Sequence, residues 1–335
     1  MVTAITEELH ELIRTPLQRG AMSLAVTHIR SATTGEEWVE KEVHVNHENP
    51  YSAAKASTEV TAGYLVRGLE GAVQMRGVSY RAACSSQASL FLRMEYVKGR
   101  SLRDCINDEN ISIHEKIGYL YSTGRALIGI HERGVTHTDL KPDNIMVTQE
   151  GKIKILDFGL ARHKHAGELC KPENTLGTPS YMAPEQTKGK KLSPGTDYFA
   201  LGIMFYETIT RTHPFADLAD RIKDVESLFE RCAEHKKIIE VDATTQVIKA
   251  LQKPAVNRLK TIAKFDEEKL DSLAEYLELC WSFMGYNADR VADSWRELMR
   301  PSPDERDIIP YLEALEEHLE SVGLPEGRIH LLRNH

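Results

Sequence analysis

The stretch HTDLKPDN, His137 to Asn144, sets a carboxylate, an ammonium and a carboxamide close together in one polar loop. Asp139 can orient a hydroxyl and accept its proton. Lys141, two residues on, can reach an anion that such a hydroxyl attacks. Asn144 offers a carbonyl oxygen, a donor that hard divalent cations accept alongside carboxylates. Taken alone, the same stretch reads equally as a polar surface turn, so the rest of the chain has to supply the partners such chemistry requires.

Three further stretches follow in order: DFG at 157–159, GTPSYMAPE at 177–185 and DYFALG at 197–202. Asp157 comes 18 residues after Asp139 (157 − 139). Between them KIKILDF alternates Lys152, Ile153, Lys154 and Ile155 after the QEGK turn, which is strand spacing. A strand-turn-strand hairpin folds the second carboxylate back over the loop.

The elements that must hold these groups change character along the chain. The first hundred residues read as strand, with MSLAVTHIRSATTGEEWVEKEVHV broken at the TTGE turn. SAAKASTEVTAGYLVRGLEGAVQM, residues 52–75, reads as helix, and VSYRAAC and SLFLRMEYV as two more strands around a polar SSQ turn. The order is β-β-β-α-β-β. After Gly99, Ile113, Ile117, Leu120, Leu127 and Ile130 fall at helical spacing with Gly134 as a stop, and nearly everything from Asp197 onward looks helical. The expectation is an α+β architecture: a β-rich N-lobe over 1–97, a larger helical C-lobe over 98–300 with extra helices near 216–275, and a helical tail over 301–335. Leu312, Leu315 and Leu319 fit a docked terminal helix.

The 335 residues are enough for a buried core, and a net charge of −8 argues against an electrostatic nucleic-acid binder. No apolar run reaches the roughly 18 residues of a membrane span, and MVTAITEELHELI lacks the pattern of a signal peptide. The five cysteines form no C-x-x-C pair, which fits a reducing compartment. The default expectation is a cytoplasmic protein, with delivery as a secreted effector into a host cytosol left open.

These motifs, in this order, resemble the protein kinases of the eukaryotic-like Ser/Thr class, strongly from Met94 to about Phe215 and more loosely over about residues 10 to 300. The resemblance implies transfer of the ATP γ-phosphate to Ser or Thr hydroxyls of protein substrates, with Mg²⁺, and autophosphorylation besides. Asp139, Lys141 and Asn144 would be catalytic, and Asn144 and Asp157 the metal ligands. Lys41, in WVEKEV, would reach the phosphates; Glu59 would hold it, with Glu70 as the competing carboxylate. Val26, Glu95, Val97 and Met146 complete the implied nucleotide-binding set together with Asp157, and MEYVKG resembles the hinge beside the adenine. Lys141 and Thr178 favour Ser/Thr over Tyr. Asp197 looks like the carboxylate that ties down the catalytic loop, and Arg290 like the buried partner of Glu185.

The sequence departs from the family in two places. Where G-x-G-x-x-G is expected, LQRGAMSLAV holds only Gly20, so Ala21 and Ser23 stand in an altered phosphate cradle. Many family members carry Arg before the catalytic Asp, and here the residue is Thr138. Activity is therefore expected not to depend on phosphorylation of Thr175 in the activation segment. Control would come through packing, the added helices or a regulatory partner on the C-lobe. His163, His165 and Cys170 read as a solvated loop before they read as a metal site. The alternatives are a small-molecule phosphotransferase of the aminoglycoside-kinase type, which lacks the peptide-docking GTPSYMAPE segment, and a pseudokinase scaffold.

Overall fold

The computed structural model describes residues 12–18, 25–46, 50–82, 87–163, 178–215, 265–283 and 289–322. Its first part is an antiparallel sheet of five strands: β1 (Leu12–Gln18), β2 (Ala25–Ser31), β3 (Glu37–Asn46), β4 (Met75–Ala82) and β5 (Gln87–Glu95). Their spatial order is β1-β2-β3-β5-β4. Helix α1 (Pro50–Leu65) connects β3 to β4 and packs on β3. The β2–β3 hairpin is fixed by its turn, where Gly35 takes φ +69° and donates its N–H to Ser31 O at 2.9 Å. The resulting register sets Val26 opposite Lys41.

The helical reading of residues 52–75 holds only to Leu65. Gly68 turns the chain at φ +85°. The Gln74 side chain then ties the loop, accepting from Gly68 N at 2.7 Å and donating to Leu69 O at 2.7 Å and Ala72 O at 2.8 Å. These bonds give the backbone the partners a helix would have supplied. Gly71 permits a close approach, since a Cβ there would lie 2.4 Å from that of Ala126. The loop next bonds to the larger lobe, Val73 N to Ile155 O at 2.9 Å and Ile155 N to Gly71 O at 2.8 Å.

Beyond the sheet come β6 (Gly99–Ser101), α2 (Leu102–Asn107) and α3 (Ile113–Glu132). Ser112 and Glu115 form a capping box at the start of α3, and Gly134, at φ +72°, follows its end. The short strands β7 (Val135–Thr136), β8 (Ile145–Thr148), β9 (Ile153–Ile155) and β10 (Arg162–His163) pair as β6-β8-β9 and β10-β7. Helices α4 (Pro184–Thr187), α5 (Pro194–Thr210), α6 (Glu267–Phe283), α7 (Asp289–Met299) and α8 (Ile309–Ser321) complete the described strands and α-helices, with short 3-10 turns at Pro142–Asn144, Phe158–Leu160, Pro179–Tyr181 and Pro303–Glu305.

Helix α5 is buried on almost every side, as its hydrophobic sequence dictates. Phe205 meets Trp281 of α6 and Tyr311 of α8, and Trp295 of α7 donates its indole N–H to Gly202 O at 2.8 Å. Leu312, Leu315 and Leu319 are buried where α8 docks on α3. Of the extra helices expected near 216–275, residues 216–264 lie outside the described set, and α6 begins at Glu267. The architecture is α+β. No helix among the described residues is long and apolar enough to cross a membrane.

Candidate active site

The loop carrying Asp139 is held from beneath by Asp197, near the start of α5. Its two carboxylate oxygens accept from His137 N and Thr138 N, each at 2.8 Å, and His131 Nε2 lies 2.8 Å from Oδ2. Thr138 has φ +64°, a left-handed value costly for a β-branched residue. Surrounding bonds over-determine it. Gln186 Nε2 donates to Thr138 O at 2.7 Å, and the Thr138 hydroxyl donates to Leu160 O at 2.6 Å. His137 Nε2 lies 2.7 Å from Leu156 O, and its ring meets the buried Phe158 edge-on.

Held in this way, Asp139 projects into a polar group. Its Oδ1 accepts from Thr178 N at 2.7 Å and Thr178 Oγ1 at 2.9 Å. Lys141 Nζ donates to the same Thr178 hydroxyl at 2.8 Å and lies 3.6 Å from Asp139 Oδ2. Asn144 Nδ2 donates to Asp139 O at 2.8 Å and Oδ2 at 3.3 Å. Asp139, Lys141, Asn144 and Thr178 are thus brought together by one network.

A second network lies under the sheet. Lys41 Nζ on β3 donates to Glu59 Oε1 of α1 at 2.5 Å and to Asp157 Oδ1 at 2.7 Å. Glu70, the competing carboxylate, pairs instead with Lys152. Burial opposes the charge on Lys41, but Glu59 and Asp157 outweigh it and hold the ammonium above the usual lysine range. Burial likewise pushes the Glu59 carboxyl up, against the pull of Lys41. Asp157 is pushed up by burial but pulled down further by Lys41, so its carboxyl ends below the ordinary range. The turn after it is tight: Asp157 takes φ +59°, and a Cβ at Gly159 would lie 3.0 Å from Asp157 Oδ1 and 3.2 Å from Glu59 Oε2.

The remaining predicted residues make no polar contact with these groups. Val26 faces Lys41 across the β2–β3 ladder. Glu95, at the end of β5, spends its carboxylate on Lys154 at 2.9 Å and its N–H on Gln74 O at 3.0 Å. Val97 and Met94 are half-buried against the core. On β8, Ile145 and Val147 are buried and Met146 alternates to the other face. Gly20, Ala21, Ser23, His165, Cys170 and Thr175 lie outside the described residues.

The oxygens fit a hard divalent cation. The Asn144 amide is oriented by its two bonds to Asp139, which use only its nitrogen. Both described hydrogen bonds to the Asp157 side chain use Oδ1, so Oδ2 receives no described donor and could face a cation.

One expected partner is corrected. Glu185 is buried against Arg306, not Arg290. Arg306 Nη1 and Nη2 donate to the two carboxylate oxygens at 2.8 and 3.0 Å, and Thr196 Oγ1 adds a bond at 2.8 Å. Arg290 pairs at the surface with Glu317. The apolar stripe of α7 runs through Val291, Trp295 and Leu298, and Arg290 lies off it. Arg306 comes from the loop after α7, and the only sign of it in the sequence is a lone arginine between Pro303 and Pro310.

A family model described as protein kinase domain matches residues 16–282. A probable serine/threonine-protein kinase of Clostridium perfringens is 33% identical over 186 residues, 54% of this chain and 27% of that protein. The serine/threonine-protein kinase PknA of Mycobacterium tuberculosis is 38% identical over 127 residues, 38% of this chain and 30% of its own length. A probable serine/threonine-protein kinase of Dictyostelium discoideum is 33% identical over 165 residues, 48% of this chain and 31% of that protein. The aligned stretches therefore cover under a third of each relative. With the family model spanning most of its length, this chain belongs to the protein kinase family.

Proposed function

We propose that the chain is a serine/threonine protein kinase, transferring the γ-phosphoryl group of ATP to hydroxyls of protein substrates and of itself. The observation that carries this reading is Lys41 bonded at once to Glu59 and Asp157, in a fold that also holds the Asp139–Lys141–Thr178 network. Phosphoryl transfer asks the protein mainly for positioning and charge compensation. Both are supported here by fixed side chains.

In this reading Asp139 orients the acceptor hydroxyl and takes its proton at Oδ2, because Oδ1 already accepts twice from Thr178. Lys141 meets the transferring phosphoryl group. Lys41 faces the phosphates and Glu59 keeps it aimed. ATP supplies the phosphoryl group, and Mg²⁺ offsets the charge on its phosphates. Asn144 and Asp157 would hold the metal. Val26 and Met146 would flank the adenine, with the backbone of Glu95 and Val97 at its edge. We divide the chain into 1–97, 98–300 and 301–335, the cleft falling between the first two. The scattered cysteines fit a cytoplasmic setting.

The test is γ-labelled ATP with Mg²⁺ and a generic basic protein as acceptor. Wild type should label it. Asp139→Asn should abolish transfer while nucleotide binding stays nearly intact. Asp157→Ala should lose Mg²⁺-dependent binding as well. Wild-type labelling by both variants would sink the site assignment.

A further inference from the structure

Helix α5 ends at Thr210, and specific bonds turn the residues that follow. Arg211 takes φ +58°, and its N–H donates to Glu207 O at 2.9 Å. Its guanidinium donates from Nη1 to Ile106 O of α2 at 2.9 Å. The Thr210 hydroxyl donates to Thr212 O at 3.1 Å. This turn delivers His213, 9% exposed, against the Pro179–Tyr181 turn. Both ring nitrogens are in use there. Nε2 lies 2.7 Å from Ser180 O, and Nδ1 accepts from Phe215 N at 3.1 Å. A carbonyl oxygen only accepts and a backbone N–H only donates, so the ring is neutral with its proton on Nε2.

The same ring meets Tyr181 edge-on, with 5.9 Å between centroids. Tyr181 is fixed from its far end as well. Its hydroxyl donates to Glu207 Oε2 at 2.6 Å and accepts from Arg103 Nη2 of α2. The Pro179–Tyr181 turn is thus clamped twice, at Ser180 O and at Tyr181, by the end of α5 and the turn after it. What the clamp holds is the rim of the site. Thr178, directly before the turn, gives Asp139 Oδ1 both of its donors, and Pro179 is exposed. A polypeptide that brings a hydroxyl to Asp139 has to pass along these residues.

We propose that His213 is a positioning residue for the acceptor: by holding Ser180 O it sets the Pro179–Tyr181 turn as a wall of the groove in which the acceptor polypeptide docks. The proposal rests on the kinase reading above. His213 acts through the turn and not on the reacting atoms, and small displacements of such a wall are costly, because transfer depends on the placing of the hydroxyl. The bond to Phe215 N is a separate, purely structural task of the same ring, so a test has to tell the two bonds apart.

Two near-isosteres do so. The Nε2 of a glutamine reaches the place of the imidazole Nε2, whereas the Oδ1 of an asparagine reaches only that of Nδ1. His213→Gln therefore keeps the donor to Ser180 O, and His213→Asn keeps the acceptor for Phe215 N. Each is compared with wild type by steady-state transfer from γ-labelled ATP with Mg²⁺ to the generic basic protein, with acceptor and ATP varied in turn. His213→Asn should lower kcat/KM for the acceptor by about tenfold or more, mostly through KM, while the KM for ATP stays within about twofold. His213→Gln should restore most of that loss. The reverse order, with Asn silent and Gln impaired, would make His213 a closure of the Phe215 turn alone and would overturn the proposal. So would an equal loss toward acceptor and ATP in both variants, or no loss in either. Transfer by wild type checks the kinase reading separately: if wild type labels no acceptor, that reading fails and the proposal falls with it.

Discussion

Replacing Arg306 by Met tests the buried Arg306–Glu185 pair most directly. The Arg306 and Glu185 side chains are 0% and 1% exposed, so neither charge has water as a substitute partner. Arg306 also donates to Arg300 O at 2.6 Å, Gly195 O at 2.8 Å and Pro301 O at 3.3 Å. Removing it leaves a buried carboxylate with one described hydroxyl donor, Thr196, and three carbonyls short of a donor. Breaking a buried pair from one side costs about 3–5 kcal/mol. The stranded carbonyls put this case toward the upper end, about 4–5 kcal/mol, a large share of a stability on the order of 5–15 kcal/mol. Urea denaturation followed by intrinsic fluorescence measures it as a lower midpoint at unchanged slope. Adding Glu185→Gln to Arg306→Met should recover about 1–2 kcal/mol, because a neutral amide is cheaper to bury than a lone carboxylate. Arg290→Met, on the exposed Arg290–Glu317 pair, should change stability by less than about 1 kcal/mol. A cost below about 1 kcal/mol for Arg306→Met, or an equal cost for Arg290→Met, would refute the reasoning.

Two other outcomes follow from the buried charges. Lys41→Met should cut phosphate transfer by about a hundredfold or more, about 2.7 kcal/mol of barrier. It should also strand the buried Glu59, so that the Lys41→Met, Glu59→Gln double variant melts higher than Lys41→Met alone; a lower melt would mean Glu59 has another cation. The second concerns α8 and pH. His318 lies 3.2 Å from His114 and against Trp281, and burial together with His114 depresses it to about 4. The folded state therefore binds fewer protons than the unfolded chain as pH falls from the ordinary value of 6.5 to about 4. Stability from this group is whole above 6.5 and lost on the way down. Between pH 7.5 and 5 wild type should lose about 2 kcal/mol more than His318→Gln, with Tyr121–Glu316 and His114 the other polar groups at that contact. Parallel curves for the two proteins would assign the acid sensitivity elsewhere.

The parts of the site that could be read from the sequence are those set by short spacing. Asp139, Lys141 and Asn144 share one loop, and the hairpin to Asp157 is built from alternating residues closed by Gly151 at φ +83°. Whether Glu59 or Glu70 meets Lys41 is harder, because it depends on where α1 stops. That end is set by Gly68 and by the Gln74 side chain reaching back over the loop, which no periodicity encodes. Arg306 was hidden for a similar reason. Helical phase excludes Arg290 once the stripe Val291, Trp295 and Leu298 is drawn, yet nothing local says that the loop after α7 folds back to Glu185.

Thr138, one of the two departures from the family pattern, bears on regulation. Where family members use an arginine, a phosphate on the activation segment can pair with it and order that segment. Threonine has no charge to offer. In this chain the start of the segment is tied down without a phosphate: the Thr138 hydroxyl donates to Leu160 O at 2.6 Å, and β10 pairs with β7 directly before the loop. The strained φ of Thr138 is the cost of presenting that hydroxyl, and Asp197 and Gln186 hold the residue there. The two threonines, Thr138 and Thr175, predict opposite outcomes. Thr138→Val keeps the branched shape but loses the bond to Leu160, and should lower both stability, by about 1 kcal/mol, and transfer to an added substrate. Thr175→Ala, after phosphatase treatment of both proteins, should stay within a few-fold of wild type. A hundredfold loss for Thr175→Ala with a silent Thr138→Val would mean that a phosphate orders the segment after all, through a basic residue elsewhere in the chain.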